Sequence, residues 1–431
     1  MADPVPRPRR WLVTIGVAVV LALVAAVIAT NFIGGEKKIQ TRVERLYSID
    51  DPRFKSELGV LLGPPFLNGA RIGALLNGEQ IFPPMLAAIR AAKTSITFET
   101  YIYWSGDVGR EFAEALAERA QQGVRVHVLL DWVGSAKMDD SLVATMESAG
   151  IKVRKFHPPH WSHLGRLNNR THRKLLIVDG RIGFTGGVGI APQWTGRAED
   201  PKHWRDTHFE VEGPVVAQMQ SVFIDNWIKV TGEVLHGPGY FPTLAAAGPG
   251  QAQVFSSSPS GGSESMQLMY LLAITAASRS IDLSAAYFVP DELTRQALLE
   301  AMKRGVKLRI VVPGKHIDSD TVRSASRATW GPLLAAGAVI AEYEPTMYHC
   351  KVLIIDGQLV SVGSTNFDNR SFRLNDEATL NVIDKVFASL QTATFEDDLR
   401  RSHTVTHEEW LARPLRERLS EALASVIGTQ L

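Results

Sequence analysis

The feature that most constrains this chain is an internal repeat built around a short motif. His172-Arg173-Lys174-Leu175-Leu176-Ile177-Val178-Asp179 and His349-Cys350-Lys351-Val352-Leu353-Ile354-Ile355-Asp356 both read H-x-K-x4-D, and a glycine follows each. The surroundings repeat too. Met85 to Ile89, Ser95 to Tyr103, Phe112 to Ala120, Gly123 and Val124 to Leu130 read as helix, strand, helix, turn and strand. Leu268 to Ala277, Ser280 to Phe288, Leu293 to Met302, Gly305 and Val306 to Val312 read the same way. Such self-similarity means that one unit folds twice and the copies pack together.

Strands alternating with helices imply crossover connections and a parallel sheet with helices on its faces. The apolar runs Leu175–Val178 and Val352–Ile355 fit strands buried on both sides. The expected fold class is therefore α/β: two similar halves, each a mostly parallel sheet flanked by helices, with the active site between them. The halves are expected over residues 61–235 and 253–405, joined by a Gly- and Ala-rich linker at 236–252. Residues 406–431 are expected to form a C-terminal helix, docked on the core through the helically spaced Leu415, Leu419, Leu423 and Val426.

The 431 residues allow two or three domains at roughly 100–200 residues each. With 45% hydrophobic and 21% charged residues, the composition excludes intrinsic disorder. One cysteine, Cys350, excludes an intrachain disulfide framework and a multi-Cys zinc site. Strand alternation turns it away from its motif neighbours, into the core. Lys+Arg 46 against Asp+Glu 45 leaves a formal charge of +1, without the basic excess of a protein that grips nucleic acid by its phosphates. No charged residue lies between Trp11 and Gly35. A cleaved signal peptide has an apolar region of about 7–15 residues. This longer stretch predicts an uncleaved transmembrane helix over residues 11–33, behind a basic tail at 1–10 and ahead of a juxtamembrane segment at 34–60. Arg7, Arg9 and Arg10 favour an inside N-terminus and an extracytoplasmic catalytic part.

On a strand, residues two apart share a face, so each motif His and Lys project together. Phosphodiester transfer needs a nucleophile, an acid for the leaving alkoxide and cations for the phosphoryl oxygens. A neutral imidazole can form a phosphoramidate, a second imidazole can shuttle the proton, and Lys174 and Lys351 can supply the charge. No cofactor and no metal are expected.

The duplicated motif resembles that of the phospholipase D superfamily, and the chain is most similar to bacterial cardiolipin synthases. The resemblance runs from about Leu75 to Ser402. It includes Asn168 to Lys174, Gly183-Phe184-Thr185-Gly186-Gly187, Trp204-Arg205-Asp206-Thr207-His208, Glu212 to Val215, Tyr287-Phe288-Val289-Pro290, Gly363-Ser364-Thr365-Asn366 and Asp368 to Glu377. It implies His172 as nucleophile and His349 as acid/base, with Lys174, Lys351, Ser364 and Asn366 binding phosphate. Glu377 and Asp206 become candidates to orient an imidazole. Asp179 and Asp356 complete the two motifs, where they either serve the site or tie down the strand ends. Two departures stand out: Gly189 occupies the position of the family's asparagine in the first copy, and one apolar span is present where several members have two.

The implied activity joins two phosphatidylglycerol molecules into cardiolipin and glycerol at a membrane, with phospholipid as the partner and no nucleic acid. Trp161, Trp194 and Trp204 are candidates to line a lipid path. A hydrolytic phospholipase D, releasing phosphatidic acid, and a membrane-tethered nuclease use the same motifs and remain open at this level.

Overall fold

Both copies of the repeat form the strands and helices that their periodicity predicts, yet they build one sheet and not two. The computed structural model describes residues 10–32, 39–158, 168–259 and 265–426, with side chains of the first helix from residue 13 to 26. From the middle outward, the first half contributes Leu67–Leu76, Thr207–Glu212, Ile182–Gly186, Leu175–Val178, Ser95–Thr100, Arg125–Asp131 and Lys152–Phe156. The second half runs the other way with Gly250–Ser257, Asn375–Ile383, Leu359–Gly363, Lys351–Ile355, Ser280–Ala285, Lys307–Pro313 and Val339–Tyr343, then adds Ser402–Val405. The two middle strands, Leu67–Leu76 and Gly250–Ser257, pair antiparallel and fuse the halves.

The sheet is not mostly parallel in either half. Among the longer strands, parallel pairing is confined to Ser95–Thr100, Arg125–Asp131 and Lys152–Phe156, and to their counterparts Ser280–Ala285, Lys307–Pro313 and Val339–Tyr343; the two-residue strands Arg170–Thr171 and Phe288–Val289 also each pair in parallel with a neighbour. The motif strand of each half turns straight into its neighbour, Leu175–Val178 into Ile182–Gly186 and Lys351–Ile355 into Leu359–Gly363. A turn that short permits only antiparallel pairing, so the sheet is mixed.

Helices cover both faces, and Ser95–Thr100 and Lys351–Ile355 are buried along their whole lengths. On one face the halves keep separate cores, around Phe98, Phe112 and Leu116 in the first and Ile281, Leu298 and Trp330 in the second. On the other face a single cluster spans both, from Ile177, Phe209 and Trp227 to Ile354, Val360 and Leu380. This shared core holds the motif strands of the two halves at a fixed separation.

Two terminal expectations change. Residues Arg10–Phe32 form a helix whose described side chains, Val13 to Val24 among them, are exposed. Among the described residues, however, no helix is long and apolar enough to cross a membrane, so a transmembrane span over 11–33 is not supported. The C-terminal segment forms two helices, His407–Leu411 and Leu415–Val426. Leu415, Leu419 and Leu423 face outward, while the Arg413–Glu421 ion pair and Ala424 are buried. The paired charge and the small residue, not the leucine stripe, make the docking face.

Candidate active site

Each motif histidine is carried into the site by a segment that crosses to the other half. Arg170–Thr171 pairs with Asn375 and Asp376, and the His172 amide donates to Asp376 O at 2.9 Å. On the opposite side Arg205 bridges to Tyr348, and the His349 amide donates to Arg205 O at 2.7 Å. Strand alternation then sorts the side chains. Arg173 and Cys350 point away from the cleft, Arg173 to Val222 O and Asp225 and Cys350 towards Thr207. His172, Lys174 and His349 line a cleft of about 130 Å³ at the seam, together with Arg170, Arg370 and Asn366.

The carboxylates are exchanged between the halves. His172 Nδ1 lies 3.0 and 3.1 Å from the two oxygens of Glu377, a second-half residue, while His349 Nδ1 lies 2.7 Å from Oδ2 of Asp206, a first-half residue. A carboxylate at Nδ1 fixes that nitrogen as the donor and leaves Nε2 for chemistry. Asp206 also accepts from Trp194 Nε1 at 2.9 Å and from the Thr207 amide at 2.8 Å. Glu377 receives Ser364 Oγ and Asn375 Nδ2.

The electrostatics of the two pairs differ. Burial, reinforced by Lys174 and Lys351, holds the His172 imidazole well below its ordinary value. Burial also lowers His349, and Lys351 adds to this, but Asp206 pulls in the opposite direction. Burial raises Glu377 to about 7 in spite of Lys174 and its hydrogen bonds. For Asp206, burial is outweighed by His349, Lys351 and the Thr207 amide, so its carboxyl stays below the usual range. Burial and the neighbouring Lys351 depress Lys174 to about 7. Crowding of buried cations in this way disfavours their charged forms until an anion joins them. These residues fit a phosphoryl group.

The sequence-predicted residues take different places. Lys351 Nζ lies 3.2 Å from each ring nitrogen of His349, and each motif lysine donates to its own histidine carbonyl at 2.8 Å. Asn366 faces the cleft, and its Oδ1 has no partner among the described residues. Ser364 stands behind Glu377, bonded to it and to Ala378. Asp179 and Asp356 sit at the far ends of their strands. Asp179 accepts the amides of Lys93, Thr94 and Ser95, and Asp356 those of Ser278, Arg279 and Ser280. Both adopt left-handed backbone, φ 53° and 55°, so they clamp turns away from the imidazoles.

Gly189 has a steric reason. A Cβ there would come within 2.9 Å of Ile102 and 3.1 Å of the Trp194 ring, so that ring occupies the room an asparagine would need. Gly187 is equally constrained, because a Cβ would meet Asp206 Oδ1 at 2.2 Å. Trp194 and Trp204 pack 5.3 and 5.4 Å from the His349 ring, while Trp161 lies outside the described residues.

Sequence reasoning missed the second-half wall of the cleft, Tyr287 with Asp318, and the buried Arg205–Asp398 pair at 2.9 Å. Arg170 carried a usable signal, since it shares the alternating face of His172 and Lys174. Arg205 and Asp398 lie 193 residues apart and carried none.

The two halves match one family model, described as "Cardiolipin synthase, PLD-like domain", over residues 85–227 and again over 270–399. The chain belongs to this phospholipase D-like family. A cardiolipin synthase of Geobacillus kaustophilus is 34% identical over 395 residues, covering 90% of this chain and 78% of that protein. Cardiolipin synthase A of Pseudomonas fluorescens is 34% identical over 80% of this chain and 72% of its own length. A phosphatidylserine synthase structure from Haemophilus influenzae shares the fold, with a TM-score of 0.67 at 13% identity, over 88% of this chain and all of that one. Both halves of the phospholipase D-like frame therefore carry a His–Lys pair, and the frame accounts for their meeting at one seam.

Proposed function

We propose that this chain is a phosphatidyltransferase of the cardiolipin synthase type, which joins two phosphatidylglycerol molecules and releases glycerol. The observation that carries the reading is the exchanged pairing: two imidazoles face one cationic cleft, each with Nδ1 held by a carboxylate from the other half. In the first step His172 Nε2 attacks phosphorus and the P–O bond to glycerol breaks. His349, protonated and paired with Asp206, gives its proton to the leaving oxygen. In the second step the hydroxyl of another phosphatidylglycerol attacks, the P–N bond breaks and its proton passes to His349. Lys174, Lys351 and Asn366 hold the phosphoryl oxygens; Asp206 and Glu377 orient the rings. Stabilising charge as it develops on those oxygens is where such a site gains most of its rate. The deeply depressed His172 suits the nucleophile, and the ionised partner of His349 suits the acid. The exposed apolar side chains from Val13 to Val24 would bring the enzyme to a lipid surface.

Purified protein with phosphatidylglycerol in detergent should yield cardiolipin and glycerol. His172→Ala and His349→Ala should each lower the rate by 10³-fold or more, about the scale of removing one member of a catalytic set. Phosphatidic acid as the only lipid product would assign the chain to hydrolysis instead. Cleavage of an oligonucleotide with the lipid left intact would overturn the lipid reading.

A further inference from the structure

One wall of the cleft is poorly suited to a phosphate. Asp318, on the loop between strand Lys307–Pro313 and helix Asp320–Ala328, presents an exposed carboxylate to a cleft whose other charged residues include Arg170, Lys174 and Arg370. The other cleft-lining carboxylate, Asp368, is committed to capping helix Asn369–Arg373 through the Ser371 amide at 2.7 Å. Asp318 is held differently. Tyr287 Oη donates to its two oxygens at 2.9 and 2.7 Å, one donor against about four lone-pair positions. The remaining acceptor capacity is open to the cleft, and close to this carboxylate an anion is disfavoured while a hydroxyl is welcome. Asp318 shares the cleft with both imidazoles, and its charge is felt at His349 and Lys351 as well as at Tyr101, which packs against His172.

The repeat sharpens the point. With Ser95 aligned to Ser280, Tyr287 corresponds to Ile102, and both line the cleft. The first half thus offers an apolar side chain where the second offers a phenol and a carboxylate. A site that must hold the same lipid in two roles in turn needs such asymmetry, because the donor requires an anion cradle and the acceptor a place for its alcohol.

We propose that Tyr287 and Asp318 form an acceptor subsite that binds a hydroxyl of a polyol headgroup and turns the neighbouring hydroxyl towards His349. The proposal rests on the phosphatidyl-transfer reading and names its acceptor side. Asp318 accepts a hydrogen bond from one hydroxyl of the glycerol headgroup. The adjacent hydroxyl then attacks the phosphohistidine, the P–N bond breaks as the P–O bond forms, and the proton goes to His349. Water, too small to reach Asp318 and phosphorus together, gains nothing from the subsite.

The test is the partition of one intermediate. Full-length enzyme is given labelled phosphatidylglycerol in detergent, and cardiolipin and phosphatidic acid are quantified from the same reaction. Their ratio reports only molecules that have formed the intermediate, so partial misfolding of a variant cancels. Asp318→Ala should lower the ratio at least about 10-fold, the lower end for a hydrogen bond to a charged group. Asp318→Asn, which keeps an acceptor oxygen, and Tyr287→Phe, which frees the carboxylate, should lower it less. A ratio unchanged in Asp318→Ala, with both products falling together or neither falling, overturns the subsite and leaves phosphatidyl transfer standing. Wild-type enzyme that makes phosphatidic acid and no cardiolipin overturns the transfer reading, and the subsite with it.

Discussion

His172 and His349 occupy equivalent positions in a duplicated unit, yet their surroundings differ in the way the proposed division of tasks requires. His172 meets Glu377, whose carboxyl is raised to about 7 by burial, and the imidazole is driven far down. His349 meets Asp206, whose carboxyl is kept below the usual range, against its burial, by His349 itself, Lys351 and the Thr207 amide. An imidazole beside an ionised carboxylate holds a proton more readily than one beside a half-neutral carboxyl. The comparison teaches that a repeated motif supplies the reacting groups, while neighbouring positions that are equivalent in register but filled by different residues, Asp206 against Glu377 among them, would divide the labour. The division reaches Gly187 and Ser364, equivalent in the repeat. One is bare so that Asp206 can fit, and the other donates to Glu377.

The largest effect that probes this asymmetry is expected at the carboxylates. Asp206→Asn should lower kcat by roughly 10²–10³-fold, within the range of general acid–base catalysis, because it removes the charge that keeps a proton on His349. Glu377→Gln should cost only about 10-fold at pH 7, where the native group is already partly neutral. Steady-state rates for the two variants side by side decide it, and equal losses would break the comparison.

A second contrast lies along each motif, between its two ends. Asp179→Asn or Asp356→Asn should leave kcat per folded molecule within a few-fold and destabilise the protein by about 1–3 kcal/mol, since each clamps three backbone amides. Urea unfolding together with the activity of the folded fraction separates this from a catalytic role.

The smallest effect expected is on anion binding. In the free enzyme Lys174 is depressed to about 7 and Glu377 raised to about 7. A bound phosphoryl anion favours the protonated form of both, so binding takes up protons, and affinity is greatest below pH 7. It should fall as the pH rises through 7, by up to about 10-fold per pH unit for each proton taken up. Titration calorimetry with inorganic phosphate in buffers of different ionisation enthalpy measures that uptake directly.

Much of this site was legible because its grammar is local. Period-two alternation put His with Lys and turned Cys350 inward, and the motif pair announced the duplication. Asp206 and Glu377 were readable as orienting groups, but not which ring each would hold, because the exchange depends on chain crossings at Arg170–Thr171 and Arg205. The seam between Leu67–Leu76 and Gly250–Ser257 leaves no local trace either, since its partners are far apart in sequence. The mixed sheet was missed because a tight turn after each motif outweighs the helix–strand alternation around it. A phosphate role for Ser364 came from the family resemblance alone, and only the fold shows its hydroxyl committed to Glu377.

The central claim is that His172 carries the phosphoryl group and His349 moves the proton. It is tested most directly by trapping the intermediate from a phosphatidyl donor with an activated aryl leaving group, which needs no acid. Rapid acid-free quenching of His349→Ala, followed by peptide mass spectrometry, should find the phosphatidyl adduct on His172, and His172→Ala should yield none. An adduct on His349 in the His172→Ala enzyme, or turnover of that variant at the wild-type rate, would contradict the account.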